Sequence, residues 1–255
     1  MDLHGRSAIV TGGAGGLGAA TVRHLVSLGV GTVAFDMNED GVAALADELG
    51  PRCYGSVGSV LDDVDVQSAI ECAGHLGALS IVVNVAGGGV ASRTVARDGT
   101  PHDLDSFRRV VELNLVGSFN VTRLAAAAMA ENEPDDSGER GVVVHTASIA
   151  AFDGQIGQVA YAAAKGGLVG MTLPMARDLA PIGVRVCAIA PGTMGTPLML
   201  GVPEATKDKL VESIVFPKRM GRPEEFALLV ESIARNPYLN GENIRLDGAL
   251  RFPPK

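Results

Sequence analysis

Gly12-Gly13-Ala14-Gly15-Gly16-Leu17-Gly18 lies between a short apolar run, Arg6 to Thr11, and an apolar-periodic one, Ala19 to Leu28. The first run reads as a buried strand and the second as a helix. Between them, glycines let the backbone turn sharply and come close to a pyrophosphate. The helix start beyond supplies free N–H groups and the positive end of its dipole. The spacing is Gly12-x-x-x-Gly16-x-Gly18 rather than the commoner Gly-x-Gly-x-x-Gly, and a glycine-rich loop alone is compatible with an ordinary turn. The order strand, loop, helix is the context that a dinucleotide site requires. A second strand pattern, Gly31 to Phe35, ends at Asp36, 24 residues after Gly12. That interval suits an acid that accepts hydrogen bonds from both hydroxyls of an adenosine ribose and repels a 2′-phosphate. No Arg or Lys stands in the loop or directly after Asp36, so the expected cofactor is NAD rather than NADP.

Outward from this unit, strand and helix patterns alternate along the chain. Strands are expected near 6–11, 31–36, 52–56, 79–84, 140–146, 183–190 and 242–247. Helices are expected near 16–28, 39–49, 62–74, 103–130, 158–180, 200–214 and 223–235. Strict alternation implies an α/β fold: a Rossmann-type doubly wound domain with a seven-stranded parallel sheet flanked by helices on both faces. No composition break or internal repeat divides the chain, so residues 1–255 are expected to form a single domain, with a substrate-covering region at about 193–220 interrupted by Pro197, Pro203 and Pro217. Glu131 to Arg140 is a polar excursion between a helix and a strand, expected as a solvated loop.

The chemistry is concentrated in Ser148 and in Tyr161-x-x-x-Lys165. Residues four apart share one helical face, so a phenol and an ammonium are held side by side. Ser148 follows the apolar run Gly141 to His145 and arrives from another element. An isolated tyrosine has a pKa near ~10, and a useful base at neutral pH requires a shift of up to ~3 units, roughly 4 kcal/mol. A neighbouring ammonium favours the phenolate, especially where water is scarce. A cationic nicotinamide ring would act in the same direction, and Ser148 would hold the substrate oxygen beside the phenol. Tyr-x-x-x-Lys by itself also occurs by chance on many helices.

A net charge of −8 and a pI near 5.1 argue against general nucleic-acid binding. Cys53, Cys72 and Cys187 show no paired or metal-ligand spacing, and the five histidines form no metal motif. No metal is expected. The odd cysteine count fits a reducing compartment. The first residues show no secretory pattern and no apolar run is long enough to span a membrane, so a cytoplasmic setting is expected.

With these pieces in place, the chain resembles the short-chain dehydrogenase/reductase family over essentially its whole length. Thr11 to Gly18 is similar to the family's cofactor loop, and Asn84-Val85-Ala86-Gly87 to its Asn-Asn-Ala-Gly segment. Asn114 stands where the family places a helix-kinking asparagine that anchors a relay water. Ser148, Tyr161 and Lys165 match the catalytic set, and Pro191 to Thr196 resembles the segment that closes over the nicotinamide. Within the family, Thr146 to Phe152, Gly154 to Gln158, Gly170 to Pro174 and Leu239 to Ala249 resemble the 3-hydroxyacyl-CoA dehydrogenase branch, whose characteristic insertion would be the Glu131 to Arg140 excursion. Two departures stand out: Ser59-Val60 replaces the usual Asp-Val pair that meets adenine, and Val85 replaces an asparagine.

The resemblance implies phosphates on the Gly12, Gly15, Gly16, Leu17 and Gly18 backbone, ribose on Asp36 and adenine near Ser59 and Val60. Val85, Ala86 and Gly87 would line the nucleotide's path, and Met194 and Thr196 would orient the carboxamide. Lys165 would bind the nicotinamide ribose, Tyr161 would be the acid/base, and Ser148 and Gln155 would contact substrate. The reaction implied is NAD-dependent interconversion of (S)-3-hydroxyacyl-CoA and 3-oxoacyl-CoA in fatty-acid or branched-chain breakdown. Lys207, Lys209, Lys218 and Arg219 are candidates for the CoA phosphates. A hydroxysteroid or other secondary alcohol dehydrogenase, a 3-ketoacyl-carrier-protein reductase and a non-catalytic NAD-binding scaffold subunit are the alternatives. The family also implies a homotetramer built through helices 103–130 and 158–180 and the C-terminal segment.

Overall fold

Seven short runs, the central ones rich in Val, Ile and Ala, become strands: Arg6–Thr11 (β1), Gly31–Asp36 (β2), Cys53–Val57 (β3), Ala78–Asn84 (β4), Gly141–Thr146 (β5), Val184–Pro191 (β6) and Asn243–Leu246 (β7). The structure is a computed structural model that describes residues 1–254 apart from the side chain of Leu198. All pairings are parallel, in the order β3-β2-β1-β4-β5-β6-β7. Both faces of the sheet's centre are covered, which is why the central strands are buried along nearly their whole length rather than alternately. Ala8, Val10, Ala34, Ile81 and Val83 point to one face, against Gly16–Ser27 (α1) and Pro223–Arg235 (α9). Ile9, Val33, Phe35 and Val82 point to the other, against Asp63–Leu76 (α3) and Gly117–Met129 (α5). The remaining helices are Glu39–Leu49 (α2), Leu104–Val111 (α4), Val159–Leu179 (α6), Pro197–Leu200 (α7) and Glu204–Glu212 (α8). Among the described residues no helix is long and apolar enough to cross a membrane.

Strand limits agree with the sequence reading to within a residue or so. Three expectations are corrected. The helix expected over 103–130 is α4 and α5 joined by a π-helical turn, Glu112–Val116, centred on Asn114. One extra residue in that turn displaces carbonyls from the regular ladder, a feature that clusters at functional sites. The helix expected over 200–214 is two pieces. Thr196 caps the first with its hydroxyl, Gly201 ends it, and Pro203 precedes the second. The Glu131 to Arg140 excursion is not simply solvated. Glu139 is 6% exposed and accepts from both the Nε (2.9 Å) and Nη2 (2.7 Å) of the equally buried Arg185 on β6. Arg185 also donates to the carbonyls of Ile233, Ala234 and Leu239. A charge pair this buried is tolerated because the guanidinium's donors are used and both charges are matched.

Strand order reverses direction between β1 and β4, and the loops after those two strands diverge there. Such a crevice at the carboxyl edge is where open α/β sheets bind ligands.

Candidate active site

At that crevice the chain after β1 turns tightly. Gly12 has φ +64°, and its carbonyl accepts from Gly15 N at 3.1 Å. The first turn of α1 lies on this turn so closely that a Cβ on Gly18 would fall 2.0 Å from Gly12 O. No side chain caps α1 and no acid lies in its first turn. By contrast α2, α3 and α4 are capped by Asn38, Asp62 and Asp103. The N-terminal donors of α1 are thus left for an external acceptor, and the dipole favours an anion. Asp36, at the end of β2, is fixed by two backbone donors: Oδ2 accepts from Ala14 N at 3.1 Å and Oδ1 from Asn38 N at 3.0 Å.

These groups open onto a cleft of about 590 Å³. Gly12, Gly15, Gly16, Leu17, Asp36, Ser59, Val60, Val85, Ala86, Gly87 and Thr196 all line it. Of the residues expected at the cofactor, Gly18, Met194, Tyr161 and Lys165 do not. Gly18 lies beneath the loop and Lys165 behind the cleft, whereas Met194 and Tyr161 line a neighbouring pocket. The cleft's shape and donor set suit a dinucleotide: uncapped helix donors at the middle, a carboxylate at one end and apolar Val60 beside it. Ser59 is oriented by its own backbone, since its N–H donates to Asp65 Oδ2 at 2.8 Å and its hydroxyl accepts from Leu61 N at 3.2 Å.

A residue that the sequence placed at the start of the cofactor loop, but gave no role of its own, holds two of these walls together. Thr11 Oγ1 accepts from Val85 N at 3.0 Å and Ala86 N at 3.1 Å, tying the end of β1 to the loop after β4. Its position as the last strand residue before the glycine loop was the available signal. Asn114 anchors the next stretch of the same loop. Its Nδ2 donates to Gly88 O (2.7 Å) and Val110 O (2.8 Å), and its Oδ1 accepts from Gly88 N (3.2 Å). Gly87 is squeezed between helices: a Cβ there would lie 2.4 Å from Asn114 Oδ1 and 3.3 Å from Lys165 Nζ. The ammonium of Lys165 therefore abuts the cofactor cleft from behind.

The second pocket, about 300 Å³, adjoins the first, with Leu17 lining both. Ser148, Gln155, Tyr161, Thr193 and Met194 line it. Ser148 caps a short 3₁₀ turn, Ile149–Ala151, accepting from Ala150 N at 3.1 Å. Lys165 is 3% exposed, donates to Thr146 O at 2.7 Å and holds Nζ 5.6 Å from the centre of the Tyr161 ring. The two elements carrying Ser148 and Tyr161–Lys165 do converge. Gln155 lies at the pocket rim, where its Nε2 donates to Pro253 O at 3.2 Å.

The electrostatics differ from the simple expectation that Lys165 depresses the Tyr161 pKa. Burial pushes the Tyr161 phenol up, and the nearby Ser148 hydroxyl pulls it back only in part. Burial likewise pushes Lys165 down to about 7. Exclusion of water explains both: it disfavours phenolate and ammonium alike when each forms alone. Formed together, the opposite charges offset one another's desolvation. Behind them His145, wholly buried, is pushed down to about 3 by burial and then by the Lys165 charge. Its Nδ1 meets Asn84 Nδ2 at 3.3 Å, which makes Nδ1 the acceptor.

A family model for short chain dehydrogenases matches residues 6–207. The chain belongs to the short-chain dehydrogenase family. It is an oxidoreductase of the kind that uses a nicotinamide cofactor and a small-molecule substrate. The dehydrogenase is 51% identical to human 3-hydroxyacyl-CoA dehydrogenase type-2 over 255 residues, covering 99% of this chain and 98% of that one. Identity to the bovine protein of the same name is 49%, with the same coverage. The crystal structure of 3-hydroxyacyl-CoA dehydrogenase type-2 from Mycobacterium avium matches the fold with a TM-score of 0.98 at 52% identity, covering 99% of this chain and 98% of that one.

Proposed function

We propose that this dehydrogenase interconverts 3-hydroxyacyl-CoA and 3-oxoacyl-CoA, using NAD. The observation that carries the reading is the convergence of Ser148, Tyr161 and Lys165 at the junction of a dinucleotide-shaped cleft and a smaller, partly apolar pocket. The CoA thioester is supported by the names of relatives near 50% identity across nearly the whole chain.

NAD would lie with its phosphates on the uncapped start of α1, its adenosine ribose on Asp36 and its adenine between Ser59 and Val60. NAD is favoured over NADP because the Asp36 carboxylate would repel a 2′-phosphate and no cation lines that end of the cleft. NAD held by these residues would supply the acceptor for the hydride of the carbinol carbon, and NADH its donor in reverse. Tyr161 takes the hydroxyl proton and Ser148 holds the oxygen that loses it. Lys165 supplies the positive charge that makes the phenolate tolerable in a dry site, and with its ammonium beside Gly87 it would be the residue to hold the nicotinamide ribose. Asn114 positions the loop through Gly88 and so keeps Gly87 and Lys165 in register. Positioning of this kind, with proton transfer by a held side chain, contributes a typical factor of ~10²–10⁴.

The basic residues near the covering segment are weaker supports for CoA. Lys207 pairs with Glu204 at 3.1 Å and Arg219 with Glu225 at 2.6 Å. A homotetramer is proposed on the family likeness and on the apolar groups exposed along α4–α5 and α6: Leu104, Val116 and Phe119 on the first and Leu173 on the second. The test is NAD reduction by the purified protein on 3-hydroxybutyryl-CoA, a 17β-hydroxysteroid and a simple secondary alcohol. The highest kcat/KM should fall on the thioester, with NADP a poor substitute. Preference for the steroid or alcohol would overturn the substrate class.

A further inference from the structure

After β7 the chain reverses through Gly248 (φ +58°) and Ala249 (φ +62°), and then contributes to the lining of the smaller pocket. Ala249 is the only non-glycine residue with positive φ among the described residues. A side chain held in that conformation persists only where the surroundings over-determine it. Here they do. Val215 N and Phe216 N both donate to Gly248 O, and Ala249 N donates to Asp247 Oδ1 at 3.0 Å. Arg245 donates to Leu250 O at 3.0 Å while paired with Asp153 and Asp247. Beyond the reversal, Pro253 O accepts from Gln155 Nε2 and Pro254 O from Ile156 N at 3.1 Å.

The effect of this clamping is to seat Phe252 in the lining of the pocket that contains Ser148 and Tyr161. Behind it stand the buried Ile149, Ile214 and Leu250, so this wall is backed by core. Met199 and Leu210 line the same pocket. An apolar wall backed by core suits the end of an alkyl chain. The polar arm of a thioester must instead leave towards water. We propose that Phe252 sets the length of alkyl chain that the site accepts, and that the Arg245–Asp153–Asp247 cluster holds it there. The proposal rests on reading this pocket as the substrate site, and it deepens the reading by naming the part that discriminates among homologous substrates.

The test is a length profile: kcat/KM for 3-oxoacyl-CoA substrates from acetoacetyl-CoA to 3-oxohexadecanoyl-CoA, and in parallel for a ladder of methyl ketones, with NADH oxidation as readout. In the wild type each added methylene should raise kcat/KM about four-fold while it is buried against apolar surface. The rise should stop, and reverse, where the chain reaches Phe252. Phe252→Ala should carry the rise to longer substrates, increasing the long-to-short ratio about ten-fold or more. Phe252→Trp should move the break to shorter ones. Arg245→Met, which frees the segment without touching the pocket, should blur the break. Profiles parallel to wild type in both Phe252 variants would overturn the proposal. If Phe252→Ala does not fold, Phe252→Leu and Phe252→Trp decide it in the same way. Should the ketones be reduced and the thioesters not, the acyl-CoA reading falls while the ketone profile still decides the role of Phe252. Reduction of neither ladder sinks both.

Discussion

Replacing Lys165 with methionine should make the protein more stable in neutral and mildly acidic solution, and the advantage should disappear as pH rises. Lys165 is 3% exposed and gives one hydrogen bond, to Thr146 O at 2.7 Å. Burial lowers its pKa from 10.5 to about 7 in the folded protein. A displacement of that size corresponds to about 5 kcal/mol. Below pH ~7 both folded and unfolded states carry the charge, and the full cost of burying it is present. Between about 7 and 10 the unfolded state binds more protons, so wild-type stability rises with pH. Methionine fills much of the same space without charge. It leaves Thr146 O without that donor, at about 1–3 kcal/mol regardless of pH. The net gain near pH ~6 is about 2–4 kcal/mol, and the difference should fall by about 4 kcal/mol on going to pH ~10. Urea unfolding of both cofactor-free proteins, at one protein concentration across this range, measures it. His145, which the Lys165 charge helps to push down to about 3, titrates differently in the two folded proteins only well below this pH range. A difference that does not change with pH would refute the assignment of a desolvated ammonium behind the active site.

Asp36→Ala should relax the preference for NAD over NADP in steady-state assays, because it removes the carboxylate at the ribose end of the cleft; an unchanged preference would count against the ribose role. Gly18→Ala places a methyl 2.0 Å from Gly12 O, so the loop must open, and calorimetry should show NAD affinity falling more than about ten-fold. His145 is neutral when folded, with its pKa lowered to about 3, so the wild type should lose stability as pH falls from ~6.5 towards 3. His145→Asn should flatten that acid limb in denaturation curves, and an identical limb would exclude His145 as its source.

Much of this was legible in the letters because it depends on local pattern. The strand-like hexapeptide before Gly12 and the acid at Asp36 fix β1, β2 and the mouth of the cleft, and Tyr161 to Lys165 is a helix spacing. What was not legible depends on partners far away in sequence. Glu139 looks like one acid in a polar stretch, and only folding brings Arg185 against it at 2.7 Å. The π-helical turn at Asn114 has no local signature in propensity; only the family likeness pointed to a kink there, and folding brings the side chain to Gly88 O. The raised Tyr161 pKa follows from burial by several elements at once, which no four-residue spacing conveys. Phe252 reaches the catalytic pocket only because Gly248 and Ala249 reverse the chain after β7.

The most direct test of the catalytic assignment is Tyr161→Phe, which removes one hydroxyl from a ring held by packing. Turnover should fall by about 10²–10⁴-fold or more, while NAD affinity measured by calorimetry stays essentially that of the wild type. Retention of a large part of the activity, with the cofactor still bound, would show that the proton moves through another group.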